Sequence, residues 1–317
     1  MKNQHQENIL LSVMQNPDVK AYLLFLKHIL NYLNSFNAFF QAAETRIHFL
    51  QPKSVELLTI ISKHFLKPEL LNNVCNNVEF SNKNNQKSLN EINLGIECEE
   101  YLDTLKEHAD VIANVRENCL QFYVTAAEEV SKRLPIKDNF LSKLNNFESN
   151  IALCSNARET SFNDVCFVAQ TLGEFDENAL KKEWHALHLD FTLAEKEHYS
   201  KLNFDEMWKQ ILQCKYYPNM RSLLNAVRSL PNSNADPERM FSFLTDLKTK
   251  KRNKLSSACI NATCVFKSAL RTRKETVLDM KIDAKHLALM SSDNLYKTSC
   301  KKKSSLTLYA ADKNEDC

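Results

Sequence analysis

The sequence predicts a mainly α-helical protein, and three observations support that class. Only two glycines occur in 317 residues, Gly95 and Gly173, whereas a chain of this length ordinarily contains about twenty. Because β-rich folds need glycine in turns and bulges, this scarcity favours long helices. Apolar residues also recur every three or four positions over long stretches. Prolines and polar runs separate those stretches, as expected for helices joined by short breaks.

The first half of the chain contains the strongest helical periodicity. Asp18–Leu50 predicts one long helix that Pro52 ends, and Ser54 is placed to cap a second helix, which Pro68 ends. The segment Asn72–Asn93 is rich in Asn, Lys and Ser and predicts a long exposed loop. Residues 94–134 then predict another long helix.

The second half predicts shorter helices. They are expected near Phe140–Phe147, Ser161–Leu172 and Leu180–Leu189, although Asn163-Asp164 could instead form a turn. The charged stretch Thr192–Tyr199 is expected to be a surface connection. A further helix should follow Pro218, with an apolar face that contains Leu223, Leu224, Val227 and Leu230.

Composition excludes several classes of protein. The 41 basic and 39 acidic residues give a net charge of +2, which is not a global nucleic-acid footprint. The ten cysteines form no CxxC pair, and we interpret them as reduced thiols of an intracellular protein, with a zinc site as the alternative. No apolar run reaches the roughly 18 residues of a membrane span. The N-terminal apolar run is also too short for a signal peptide.

The stretch from Leu230 to Leu255 has the clearest local organisation. Asp236 is a suitable N-cap, Pro237 suits the first helical position, and Glu238 places a negative charge in the first turn. An apolar face and then a basic C-terminal end follow. The apolar face contains Met240, Phe241, Leu244 and Leu247. The basic end contains Lys248, Lys250, Lys251, Arg252 and Lys254.

This stretch resembles the C-terminal motif of hAT-family transposases. The matching residues are Asn234-Ala235-Asp236, Glu238-Arg239, Phe241-Ser242, Lys248-Thr249-Lys250 and Arg252-Asn253-Lys254-Leu255. Their number and spacing make a chance match unlikely. Weaker similarity to one branch of the family extends upstream. It is carried by Phe36-Asn37-Ala38-Phe39-Phe40-Gln41, Phe65-Leu66-Lys67-Pro68 and Cys119-Leu120-Gln121-Phe122-Tyr123.

The resemblance implies a domain organisation. Residues 1–203 would correspond to the family's helical insertion domain, 204–275 to its C-terminal dimerisation region, and 276–317 to a partly disordered tail. The expected fold is therefore an insertion-type helical domain followed by the C-terminal helical remnant of an RNase H-like catalytic domain. An unrelated helical scaffold is the remaining alternative.

The resemblance also bears on catalysis. Family members bind divalent metal through two aspartates and one glutamate, and the glutamate matches Glu238. The two aspartates would lie upstream of this chain, and the family's Cys-x-x-His motif is absent from its sequence. Because a lone carboxylate cannot hold catalytic Mg²⁺ at useful affinity, we expect no enzyme activity and no cofactor. The alternative is a fragment of a Mg²⁺-dependent DNA transposase whose aspartates lie on a separate upstream segment.

Association remains as the expected function. The resemblance implies a dimerisation module that forms homodimers, or heterodimers with related hAT proteins. The expected contacts are Leu223, Leu224, Val227, Arg239, Met240, Phe241, Leu244 and Leu247. Alternatively, these helices could pack on residues 18–190 and leave nothing exposed. We expect no membrane association and no small-molecule substrate. The basic run that begins at Lys248 is a solvated helix end, a nuclear-import signal or a weak nucleic-acid contact, and the expected location is nuclear.

Overall fold

The computed structural model describes residues 16–42, 44–76, 78–153, 158–232, 235–249, 255–273, 275–279 and 281–289. Within these ranges the chain forms helices and no strand, which confirms the mainly α class. The chain divides into two compact units, Met1–Ala235 and Asp236–Cys317. None of the described helices is both long enough and apolar enough to cross a bilayer.

The described helices are numbered in chain order. The first unit contains α1 (Pro17–Phe40), α2 (Leu50–Phe65), α3 (Ile96–Thr104), α4 (Ala109–Arg133), α5 (Asn139–Leu144), α6 (Ser149–Ala152), α7 (Arg158–Leu172), α8 (Glu177–Leu189), α9 (Leu193–Ser200), α10 (Phe204–Cys214) and α11 (Pro218–Ser229). Helix α12 (Ala235–Leu247) begins at the boundary between the units, and α13 (Ser257–Arg273) and α14 (Ala284–Leu289) follow it.

The junction between α1 and α2 corrects the predicted helix boundaries. Helix α1 ends at Phe40, about ten residues before the predicted end. Helix α2 begins at Leu50, so Pro52 lies inside its first turn, where a missing N–H costs no hydrogen bond. Ser54 is not the N-cap either, because its hydroxyl donates to the carbonyl of Leu50 at 2.6 Å. Pro52 is therefore part of α2, and the prediction that it ends the preceding helix is wrong.

The segment between α2 and α3 is not the exposed loop that its composition predicts. Its backbone is hydrogen-bonded to the end of α2: the N–H of Lys87 donates to the Phe65 carbonyl at 2.8 Å, and that of Asn93 donates to the His64 carbonyl at 3.0 Å. Three apolar side chains of the predicted loop Asn72–Asn93 enter the core: Val74, Phe80 and Ile92. Their irregular spacing matches neither helix nor strand, which explains why periodicity did not reveal them.

The helix predicted over residues 94–134 is two helices. The break lies at residues 105–108, and α3 then packs beside α1 while α4 packs against α2. Arg116 of α4 fixes this arrangement, because its guanidinium pairs with Glu99 of α3 and also donates to the carbonyls of Leu89 at 3.3 Å and Ile92 at 3.4 Å. One cation thus joins both helices to the preceding segment.

A second apolar cluster, formed chiefly by α5 to α11, completes the first unit. Trp184 and Trp208 are fully buried in it, and the indole N–H of Trp208 donates to the Phe147 carbonyl at 3.0 Å. Thr192–Tyr199 corrects another prediction, because it forms most of α9 rather than a surface connection. Thr192 and Glu195 form a capping box, a pattern that marks a helix start in the sequence.

Glu183 of α8 caps the N-terminus of α11, and its removal should destabilise the first unit. Its carboxylate accepts hydrogen bonds from the backbone N–H of Asn219 at 3.2 Å and of Met220 at 2.8 Å. Helix α11 has no side-chain cap of its own. We therefore expect Glu183→Ala to lower the free energy of unfolding by about 1–3 kcal/mol in urea titrations. Glu174→Ala, at an exposed glutamate, should change it by less than about 0.5 kcal/mol. Equal effects of the two substitutions would contradict this role.

Candidate functional site

Helix α12 carries the transposase-like motif. Within the described part of this helix, Phe241 is 66% exposed, Leu244 and Leu247 are half-buried, and Lys248 just beyond it is exposed. The other motif side chains predicted as functional lie outside the described residues. These are Glu238, Arg239, Met240, Lys250, Lys251, Arg252 and Lys254.

The predicted contacts on α11 have a different location. Leu223, Leu224 and Val227 are fully buried in the first unit, in the same cluster as Trp184 and Trp208. They pack there because α11 lies against α7 and α8. Of the two alternatives stated from the sequence, α11 thus follows the internal one. A partner could not contact these three side chains while the first unit remains folded.

The second unit exposes its apolar residues. Among the side chains that the structure describes between 236 and 289, none is buried. Helices α12 and α13 do contact each other, because the Lys267 ammonium lies 3.6 Å from the centroid of the Phe243 ring. The exposed large apolar residues of this unit are Phe241, Val265, Phe266, Val277, Leu278, Ile282 and Leu287. We call this set the second-unit apolar surface.

The first unit contains a separate feature, a cavity of about 850 Å³. Residues of α1, the end of α2 and the start of α3 line it, and we call it the α1–α3 cavity. Its polar lining includes His28, Tyr32, His64 and Asn93, and Lys27 pairs with Glu97 beside it at 2.7 Å. Concave sites of this volume, with a few polar groups among apolar ones, are typical of ligand pockets.

Two imidazoles meet in the α1–α3 cavity. The ring centroids of His28 and His64 are 5.0 Å apart, with the rings nearly perpendicular. His64 is 8% exposed and stacks on Tyr123 with a centroid separation of 5.3 Å. Neither imidazole has a hydrogen-bond partner among the described residues, and Nε2 of His28 is buried without one. Buried polar groups without partners are uncommon and mark sites worth explaining.

Both histidines are held neutral at pH 7. Burial lowers the pKa of His28. Burial also lowers the pKa of His64 to about 4, with smaller contributions from the charges of His28 and Lys87. The cause is physical: an imidazolium in this site would lose its hydration and would face other positive groups.

Gly95 connects the histidines to α3. Its φ is +90°, and a Cβ there would lie 2.5 Å from Cγ of His28, so the backbone approaches the imidazole as only glycine allows. Gly95 is also the N-cap of α3 and supplies no side-chain cap. Gly95, Ile96 and Glu97 line the cavity, so the helix begins at its wall.

Sequence reasoning missed this cavity for a definable reason. His28 and His64 are 36 positions apart, so no HxxH or HExxH spacing reveals them. Packing of α1 against α2 brings them together. The available signal was Gly95, because a rare glycine before a helix suggests a special backbone conformation.

Neither metal ligands among the described residues nor relatives add an assignment for this chain. Within the described ranges, no group of three or more His, Cys, Asp or Glu side chains is placed to hold a metal ion. No protein-family model matches this chain, and no curated protein or solved structure matches it either. The resemblance to hAT transposases therefore depends on the motif residues quoted above.

Proposed function

We propose that this chain is a transposase-derived association module that forms a homodimer through the second-unit apolar surface. The observation that carries the proposal is the absence of any buried side chain among those described in residues 236–289. Amphipathic helices gain most of their stability from burying one face, so helices without a core need a partner.

A second copy of the same chain is the partner that fits best. The apolar residues are spread over α12, α13 and the segment after them. A two-fold contact would bury the same residues on both chains. Helices in which no described side chain is buried gain little stability alone, and association is a common remedy. The dimerisation region that the resemblance implies, residues 204–275, contains Phe241, Val265 and Phe266 of this surface.

The proposal assigns no catalytic step to the chain. Only Glu238 matches a catalytic position of the family, and the sequence offers no partner aspartates at the family's spacing. We further propose that the helices are what remains of an RNase H-like domain. The apolar faces that such a domain would cover with its sheet are then free for association. A nuclear location follows from the same derivation.

The first test is the mass of the full chain in solution. Light scattering at tens of micromolar should give twice the chain mass of 36.6 kDa. Phe241→Glu combined with Leu244→Glu should give a monomer with unchanged helical circular dichroism, because two buried charges per chain would oppose the contact. Ser242→Glu is the matched control, since Ser242 is exposed on the same helix, and it should remain dimeric.

The outcomes separate the proposal from its alternatives. A wild-type chain that stays monomeric at all concentrations would contradict it. That result would favour the DNA transposase alternative, in which the second-unit apolar surface packs on a catalytic segment outside this chain. A folded dimer that tolerates the double substitution would place the interface elsewhere.

A further inference from the structure

We propose that the α1–α3 cavity binds a small phosphomonoester, with its phosphate group at the N-terminus of α3 beside His28 and His64. This site is independent of the dimerisation proposed above, because all its residues belong to the first unit. It is a binding site, and no reaction is assigned to it.

The start of α3 offers donors for an anion. The first N–H groups of an α-helix have no partner within the helix, and the helix dipole places partial positive charge there. Helix α3 is nine residues long, and its N-cap Gly95 leaves those groups without a side-chain acceptor. The His28 side chain fills the space that a Cβ at Gly95 would take, so this imidazole lies directly against the start of α3.

The histidines supply the independent observation. His64 is more than nine-tenths buried, lines the cavity and has no hydrogen-bond partner among the described residues. His28 leaves Nε2 buried and unpartnered in the same wall. An unmade hydrogen bond at a buried polar group is costly, and a phosphate oxygen in the cavity would accept from the His64 ring. A bound dianion would also favour the imidazolium form, so binding should take up a proton.

The charged side chains that line the cavity, Lys27 and Glu97, balance each other, so they leave the potential of the helix start in place. Lys87 is close enough to lower the pKa of His64. Two carboxylates are also near, but each is paired: Glu97 with Lys27 and Glu99 with Arg116. The helix start adds positive potential to this set, which works against a metal cation at the two imidazoles.

The size and the apolar lining indicate an organic body on the ligand. A cavity of about 850 Å³ is much larger than a phosphate ion. Leu24, Leu30 and Ile96 line it together with the Tyr32 ring, and they would contact the apolar part of the ligand. A phosphomonoester with a ring or short chain would contact both the polar and the apolar lining of the cavity.

The test follows the histidine resonances of the full chain, labelled with ¹³C at imidazole Cε1, from pH 4.5 to 8. Phenyl phosphate is the probe. Inorganic phosphate and phenol, which represent its anionic and apolar parts, are tested separately as controls. We expect phenyl phosphate to raise the pKa of His64 and to shift His28, and to leave the exposed His198 unchanged. Variants His28→Gln and His64→Gln assign the signals and should abolish the response, and His198→Gln should not.

Each outcome decides the proposal. A response to phenyl phosphate that exceeds the response to either half supports it. An equal response to inorganic phosphate would assign the site to free phosphate and overturn the phosphomonoester. A response to phenol alone, or none from His28 and His64 at millimolar phenyl phosphate, would overturn the anion site. The wild-type titration decides these cases even if a variant fails to fold.

Discussion

Replacing Gly95 with alanine should destabilise the first unit by about 2–5 kcal/mol, one of the largest effects expected from a single methyl group in this protein. Two costs combine. The backbone of Gly95, with φ +90° and ψ 147°, lies in a region that L-residues rarely adopt. The new Cβ would also lie 2.5 Å from Cγ and 2.8 Å from Cβ of His28, which is too close without movement of α1 or α3.

Gly173→Ala provides the control. Gly173, the other glycine of the chain, does not have a positive φ, and a Cβ there would meet only Phe175 at an ordinary 3.7 Å. That substitution should change stability by less than about 1 kcal/mol, and it could be stabilising by restricting the unfolded chain. Urea titrations followed by circular dichroism measure both. If Gly95→Ala proves as mild as Gly173→Ala, then α3 does not hold its close approach to His28.

The fold class could be predicted from the sequence because helices leave a local record. The apolar face of α1 and the start of α11 at Pro218 can both be recognised from residues a few positions apart. Both helices form. Helix ends were less predictable. Proline is tolerated in the first turn of a helix as well as just beyond its last turn. Pro52 is therefore compatible with either the end of α1 or the start of α2, and the sequence alone does not distinguish the two.

The candidate sites depend on contacts that local patterns do not record. Phe80 enters the core through a segment held by backbone hydrogen bonds to α2, and no periodicity accompanies it. His28 and His64 meet only because α1 and α2 pack together. Leu223 and Phe241 both belong to amphipathic helices, yet one is in a core and the other is 66% exposed. Amphipathicity predicts that a face will be covered, but it does not say by what.

Lowering the pH from 7 towards 4 should destabilise the first unit, with His64 contributing up to about 3 kcal/mol. The folded chain holds the pKa of His64 at about 4, whereas in the unfolded chain it returns to its ordinary value of 6.5. Between these two values the unfolded chain binds more protons, so the free energy of unfolding falls as the pH falls. The loss begins near pH 6.5 and is complete near pH 4. Burial lowers the pKa of His28 too, which adds a loss of the same sign.

Carboxylates change the free energy of unfolding over a lower pH range than the histidines do. The contribution of His64 can therefore be measured separately. Hydrogen bonds from Ser88 and from Thr192 lower the pKa values of Glu91 and Glu195, so their stabilising contributions are lost only as the pH falls below the ordinary range of a glutamate. The histidine loss precedes this at higher pH. His64→Gln removes the titration, and His198→Gln is the control at an exposed histidine.

The measurement is the free energy of unfolding by urea at half-unit steps from pH 7.5 to 4.5, for the wild type and both variants. His64→Gln should lose some stability at pH 7, because the stack on Tyr123 is gone, but it should show a shallower slope below pH 6.5. The wild type and His198→Gln should share the steeper slope. Parallel profiles for all three proteins would mean that His64 is solvated in the folded chain. The α1–α3 cavity would then lack the buried imidazole on which the phosphate site depends.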